Sequence, residues 1–276
     1  MSKDILITGA GGGMGQAAVE LFTSRGYRVF ALDLAPCPAR ENVVPLQADV
    51  TDEASVAAAF EAVRAESEGL YAIIHFAGIY TLDSLVEIPP ARFERAFRIN
   101  LGGPYLINRS FLPLLRKGSR VIMVTSELAA RDPLPFTGLY GITKTALDKY
   151  AYSLRMELQL KGIYVSVLRA GAVDTGMLGD STRQLDAFCR GTKLYAFSAK
   201  RFREIVDRVE ARRIPPAAIA EKIRRIAEAK RPGFDYSINR NPLLILLDLL
   251  PKWARFAIIR KILESPEDGK GENEHG

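Results

Sequence analysis

The sequence predicts an α/β fold with a doubly wound parallel sheet, and three observations carry that prediction. The glycine run Thr8-Gly9-Ala10-Gly11-Gly12-Gly13-Met14-Gly15 follows directly on the apolar stretch Ile5-Leu6-Ile7. Short β-branched apolar runs then alternate with longer helical patterns, as successive βαβ units require. The residues that close those runs (Gly9, Asp33, Asp49, Gly78, Ser126 and Gly171) are small or polar and would share one edge of such a sheet, where ligands bind.

Residues 5–8 read as the first strand and 14–25 as the first helix, stopped by Gly26. Strands follow at 27–32, ending at Asp33, and at 43–47, ahead of Asp49. Thr51 or Asp52 caps a helix running to about Ser67. A strand at 71–76 leads into Ala77-Gly78, and 90–116 reads as one long helix softened at Gly102-Gly103-Pro104. Then come a strand at 120–125, a helix at 137–161 closed by Gly162, and a strand at 163–168. Nearly continuous apolar strands suit a parallel sheet covered on both faces, and right-handed crossovers give the Rossmann-type winding.

The remainder is less regular. A basic, aromatic insertion at 176–214 is expected to be helical, and Pro215-Pro216 starts a helix to about Lys230. Residues 234–237 could form a short last strand, and 242–263 read as an amphipathic helix pair divided by Pro251. The acidic tail at 265–276 is expected to be disordered. The expectation is a single domain over 1–264, with 176–214 as a lid and 242–263 as a C-terminal extension.

Composition narrows the function classes. At 276 residues, 48% apolar and 25% charged, the chain can bury an ordinary core. It holds no uncharged apolar run of about 18 residues, the length a spanning helix needs. The opening Met-Ser-Lys-Asp leads straight into a strand with no secretory or transit pattern, and Cys37 and Cys189 lie far apart, so free thiols in the cytoplasm are expected. With only His75 and His275, neither a His-rich metal site nor a Ser-His-Asp triad is expected. The net charge of +6 is concentrated, thirteen Lys/Arg against five Asp/Glu over 190–231, which reads as a solvated helical face rather than a nucleic-acid surface.

The glycine run fits T-G-x-x-x-G-x-G from Thr8, where a tight backbone and an open helix N-terminus receive a dinucleotide pyrophosphate. Asp33, at the end of the second strand, suits the two adenine-ribose hydroxyls and repels a 2′-phosphate; with no Lys or Arg in the loop or at 34–38, NAD is favoured over NADP. Tyr140 and Lys144 are four apart and share a helix face, so the ammonium can favour the phenolate of a residue whose free pKa is near ~10. Ser126 precedes Tyr140 by fourteen residues and can bond the same substrate oxygen. Asn100 sits in the preceding helix.

Together these motifs resemble the classical short-chain dehydrogenase/reductase family over roughly residues 4–175. The resemblance implies a catalytic set of Asn100, Ser126, Tyr140 and Lys144. It implies cofactor contacts from Thr8, Gly9, Gly13, Met14, Gly15, Asp33, Asp49, Val50, Ala77, Gly78, Val173 and Thr175, besides Asn100, Tyr140 and Lys144. Two departures stand out. His75-Phe76 replace the family's usual Asn-Asn before Ala77-Gly78, and His75 is expected to be a packed structural residue; Ala170 stands where proline is usual.

By the same resemblance, 176–214 folds over the substrate. Its Met177, Leu178, Leu185, Phe188, Tyr195, Phe197 and Phe202 suit a bulky hydrophobic alcohol or ketone, hydroxysteroid- or bile-acid-like, retinoid or long-chain, unless they pack only on the helices beneath. Competing expectations are a 3-oxoacyl-carrier-protein reductase, disfavoured by Asp33, and a non-catalytic NAD-binding sensor, disfavoured because Tyr140 and Lys144 are both present. A homodimer or homotetramer through the two long helices is the family habit. For 242–263, a substrate entrance or subunit contact is preferred over a membrane surface or core packing.

Overall fold

The computed structural model describes residues 3–174, 176–209 and 213–264, without the side chains of 176–182 and 207–209. Seven parallel strands form one sheet in the order β3-β2-β1-β4-β5-β6-β7. The strands are β1 Asp4–Thr8, β2 Arg28–Asp33, β3 Val43–Gln47, β4 Leu70–His75, β5 Leu115–Ser126, β6 Tyr164–Ala170 and β7 Asp235–Ile238. The order reverses direction between β1 and β4, so the crevice above their carboxyl ends is where a doubly wound sheet takes its ligand.

Strand alternation divides the core in two. Leu6, Phe30, Ile73 and Val121 face one side, packed with Val56 of α2 (Glu53–Glu66), Ile107 of α4 (Gly103–Phe111) and Leu147 of α5 (Gly138–Leu158). Ile5, Val29, Ile74 and Ile122 face the other, packed with Ala18 and Phe22 of α1 (Gly13–Ser24) and Ile219 and Ile223 of α8 (Pro216–Glu228). Both faces are covered, which is why the strands read as continuous apolar runs.

Three expectations need correction. The helix expected over 90–116 is interrupted: α3 (Pro90–Phe97) passes through a π-helical turn, Arg98–Gly102, into α4, which ends at Phe111. Pro104 has no N–H for the carbonyl of Asn100, so the ladder there cannot keep its ordinary four-residue step. Pro113 sits in the 3₁₀ turn that follows, and the chain then enters β5 at Leu115, bulged around Gly118 (φ 91°). Ser126 and Ala170 are the last residues of their strands, one and two residues beyond the expected spans, and stand opposite each other in the β5–β6 register. Thr175 and the tail at 265–276 lie outside the described residues.

The insertion is helical as expected, with α6 (Gly176–Gly191) and α7 (Ala196–Val209). The C-terminal pair is α9 (Pro242–Asp248) and α10 (Lys252–Leu263), with Pro251 between them. Among the described residues no helix is long and apolar enough to cross a membrane.

Candidate active site

The glycine loop is built by close backbone contact. Gly9 has φ 68°, and a Cβ there would lie 2.5 Å from the backbone nitrogen of Ala77. A Cβ on Gly15 would lie 2.1 Å from the Gly9 carbonyl oxygen. α1 has no side-chain cap, because Gly12 occupies that position. The first-turn N–H groups of Gly13, Met14 and Gly15 therefore have no intrahelical acceptor and are open to an anion.

Asp33, at the end of β2, braces this loop: its carboxylate accepts from Gly11 N–H at 2.9 Å and from Ala35 N–H at 3.0 Å. The nearby cation Arg40 is turned to Glu20, 3.7 Å away. Asp49 accepts from the backbone and hydroxyl of Thr51, both at 2.8 Å, and those bonds hold its carboxyl below the usual range. Val50 packs into the space left by Gly103, where a Cβ would come within 2.8 Å of its methyl group.

The four residues expected to react converge beyond the ends of β4 and β5. Asn100 is fully buried in the π-helical turn. Its Oδ1 accepts from Ile79 N–H at 2.8 Å, and its Nδ2 donates to the Ile79 carbonyl and to Thr143 Oγ1, both at 3.0 Å. This two-way clasp fixes the chain leaving Ala77-Gly78. A Cβ on Gly78 would stand 3.1 Å from Asn100 Oδ1 and 3.3 Å from Lys144 Nζ, so glycine leaves the room these two side chains occupy.

Tyr140 and Lys144 share a face of α5, with Lys144 Nζ 5.7 Å from the Tyr140 ring centre and 3.4 Å from the Val124 carbonyl oxygen. Ser126 hydrogen-bonds the Tyr140 phenol, which lowers its pKa, but burial outweighs that bond and pushes the phenol up to about 12. Burial brings Lys144 down to about 8. The expected drop of the phenol pKa by the ammonium is thus not the net effect: both groups are desolvated, and desolvation dominates each.

Several participants were not foreseen. Thr143 links Asn100 to α5 and also bonds the Tyr140 carbonyl at 2.8 Å; its only sequence signal was a hydroxyl three residues after Tyr140. Tyr80 stacks on Tyr140 at 4.9 Å between ring centres. One turn beyond Lys144, Asp148 accepts two bonds from Arg169 of β6, at 3.0 and 2.6 Å, and one from Thr125 Oγ1 at 3.3 Å. Arg169 also reaches Asp235 of β7 at 2.8 Å, so α5 is clamped to three neighbouring strands just below the site. Glu127, next to Ser126, accepts from the backbone N–H of Asn241 at 2.8 Å and ties the C-terminal extension to the same strand end.

The aromatics of 176–214 pack largely among themselves and with Phe136. Leu185, Phe188 and Phe202 are buried with Leu82 and Ala199, and Tyr80, Phe136 and Tyr195 pack against them. Phe136 adopts φ 64° and touches Phe188, Tyr195 and Phe202. Through Tyr80 this cluster reaches the Tyr140 ring. Phe197 is exposed, and the side chains of Met177 and Leu178 lie outside the described residues. Val173 is buried and bridges to Ile214.

His75 is buried, with Nε2 2.9 Å from Asn108 Oδ1, and Asn108 in turn donates to Tyr150 OH at 3.2 Å. Burial lowers its pKa from 6.5 to about 4. The unfolded chain therefore binds the additional proton first, and stability falls as pH drops through that window. The fall amounts to about 3 kcal/mol by pH ~4, at roughly 1.4 kcal/mol per pH unit. His75→Asn, which keeps a polar partner for Asn108 without a titrating ring, is expected to flatten that acid limb in urea unfolding across pH; an unchanged limb would place the acid sensitivity elsewhere.

Comparison with known proteins matches this architecture. The family model described as "short chain dehydrogenase" matches residues 3–186. The 2,3-dihydro-2,3-dihydroxybenzoate dehydrogenase of Escherichia coli is 30% identical over 63% of this chain and 71% of its own length. Estradiol 17-beta-dehydrogenase 2 of Mus musculus is 30% identical over 64% of this chain, but only half of that protein is spanned. The 3-ketodihydrosphingosine reductase of Bacteroides thetaiotaomicron is 26% identical over 88% of this chain and 89% of its own. Among solved structures, a short chain dehydrogenase family protein from Francisella tularensis superposes with a TM-score of 0.73 at 20% identity, over 86% of this chain and 97% of that one. With the family model spanning the glycine loop, the ends of β4 and β5, and α5, the chain belongs to the short-chain dehydrogenase family of oxidoreductases.

Proposed function

We propose that this protein transfers a hydride between NAD and a secondary alcohol or ketone carried on a bulky hydrophobic molecule. The observation that carries the reading is the bonded pair Ser126–Tyr140 with Lys144 and Asn100 around Gly78. The glycine cradle and the open first turn of α1 fit a dinucleotide pyrophosphate. When bound, NAD supplies the hydride acceptor or donor. Asp33 accepts from the adenine-ribose hydroxyls and disfavours a 2′-phosphate; Asp49, Val50, Val173 and Thr175 are assigned to the remaining cofactor contacts by family resemblance. Ser126 orients the substrate oxygen. Tyr140 gives the proton to that oxygen in reduction and takes it in oxidation. Lys144, cationic below about 8, steadies the phenolate and holds a ribose hydroxyl. Asn100 anchors the proton path behind Lys144.

For the substrate, the apolar lid supports a hydroxysteroid- or bile-acid-like molecule. A long-chain keto lipid is the second reading, favoured by the extent of likeness to the 3-ketodihydrosphingosine reductase, 88% of this chain and 89% of that protein. A dimer or tetramer through α4 and α5 is supported by Tyr105, Ile142 and Met156, exposed on those helices.

The test is turnover of hydroxysteroids, bile acids, long-chain keto lipids and short alcohols with NAD(H) and NADP(H), read as reduced-cofactor absorbance. Turnover of a bulky apolar substrate with NAD(H) is expected. Cofactor binding without turnover across the panel would overturn the catalytic reading. Asp33→Ala is expected to cut the preference for NAD about ten- to hundredfold, the effect of losing charge-assisted hydrogen bonds of ~1.5–3 kcal/mol. An unchanged preference would show that Asp33 serves only Gly11 and Ala35.

A further inference from the structure

The C-terminal extension leaves a run of large apolar side chains uncovered, which a helix packed on a core does not do. Two of its charged side chains, Asp248 and Arg255, are tied back to the body of the protein. Asp248 of α9 pairs with Arg131, which is almost fully buried, and Arg255 of α10 pairs with Asp132 at 2.8 Å and Asp248 at 3.7 Å. With Glu127 holding Asn241 N–H, these ion pairs fix both helices to the segment that follows Ser126. Several apolar side chains point out. Leu243, Leu246 and Leu249 stand three apart on one face of α9, and Leu249, Trp253 and Phe256 are 76%, 74% and 70% exposed. Ile258 and Ile262 continue the exposed set along α10.

Exposed cations adjoin these helices. Arg240 and Lys252 flank α9, Lys261 lies near the end of α10, and all three are exposed. α10 is joined to the basic helix α7 through Ser198 Oγ, which donates to the Leu263 carbonyl at 2.7 Å. There Lys193, Lys200 and Arg201 are exposed beside exposed Leu194 and Phe197. A second copy set on this face would bring like charge to like charge, because a two-fold contact pairs a patch with itself. An apolar strip edged with lysine and arginine and carrying an exposed tryptophan matches the boundary of an anionic bilayer. We infer that the outward face of α9 and α10 docks the protein on anionic lipid, lying in the interface and not crossing it. The inference stands on the C-terminal geometry and does not depend on which substrate the site turns over.

Trp253 is the sole tryptophan in this sequence, so the protein carries its own reporter. Its emission is expected to shift to the blue on adding vesicles of equimolar phosphatidylcholine and phosphatidylglycerol, to be quenched when the acyl chains are brominated, and to change little with phosphatidylcholine alone. In co-sedimentation with the same vesicles, Leu249→Glu should abolish binding while the far-ultraviolet spectrum is retained. Lys252→Glu should weaken binding about tenfold or more, since each surface cation contributes on the order of 1 kcal/mol and reversal counts it twice. No shift with anionic vesicles would overturn the inference. So would equal binding to both lipids, or emission already blue-shifted without lipid in a protein whose mass halves on Leu249→Glu, which would make the face a subunit contact.

Discussion

Tyr140→Phe is expected to lower turnover at least about a thousandfold while leaving the affinity for NAD within a few-fold. The substitution removes only the phenolic oxygen, the group bonded to Ser126, and keeps the ring that stacks on Tyr80 at 4.9 Å. General acid–base catalysis by a placed side chain is worth about 10²–10⁴-fold, and this phenol is the proton carrier of the proposed reaction. Stability should change by no more than about 1 kcal/mol, because Ser126 Oγ retains its bond from Leu128 N–H at 3.2 Å. Stopped-flow turnover, a cofactor titration and urea unfolding separate these quantities. Retained turnover would remove Tyr140 from the chemistry, whereas lost NAD affinity would make its role one of cofactor binding. With the phenol raised to about 12, ketone reduction, which needs its proton, should hold at neutral pH, and alcohol oxidation, which needs the phenolate, should gain as pH rises. The gain is limited above about 8, where Lys144 loses its charge.

Gly15→Ala is expected to be the most damaging single methyl group in the cofactor loop. Its Cβ would sit 2.1 Å from the Gly9 carbonyl oxygen and 2.8 Å from Ala10 Cα, both backbone atoms that cannot swing aside. Relief requires moving the Gly9 turn, but Gly9 is itself pressed against Ala77. Overpacking of this kind costs about 1–3 kcal/mol, and the displaced N–H groups at the start of α1 should weaken NAD binding by about a hundredfold or more. Gly12→Ala is the control: the nearest atom its Cβ would meet is the Gly9 carbonyl oxygen at 3.5 Å, ordinary contact. Equal affinity in the two variants would mean that the loop does not receive the pyrophosphate.

The sheet was legible because each strand is buried on both sides and so carries an unbroken apolar run with a small or polar residue at its end. Tyr140 and Lys144 were legible because a spacing of four fixes a shared helix face wherever the helix lies. Other features depend on contacts distant in sequence. Nothing local to Asp148 announces Arg169, twenty-one residues away, or the reach to Asp235. The break after Phe97 follows from a proline whose effect falls on a carbonyl four residues earlier, so Gly102-Gly103-Pro104 marks the weakness about a turn late. The pKa of Tyr140 was read from its charged neighbour, but it is governed by burial, which no short motif reports. For the apolar residues of 176–214, sequence gives apolarity, not direction; Leu185, Phe188 and Phe202 are buried against one another and Leu82.

The π-helical turn at Arg98–Gly102 holds one more residue than an α-helical turn would need. One residue of helix is about 100° of rotation. The turn is therefore a phase offset between α3 and α4, and deleting a single residue there would not merely tighten the backbone. It would swing every side chain on one side of the break by more than a quarter-turn relative to the other. Asn100 would leave the arc shared with Ile79 and Thr143, and either α3 or α4 would present the wrong stripe to its neighbours. A chain length that is tolerant in most surface loops is, at this place, as tightly specified as the identity of any side chain in the site.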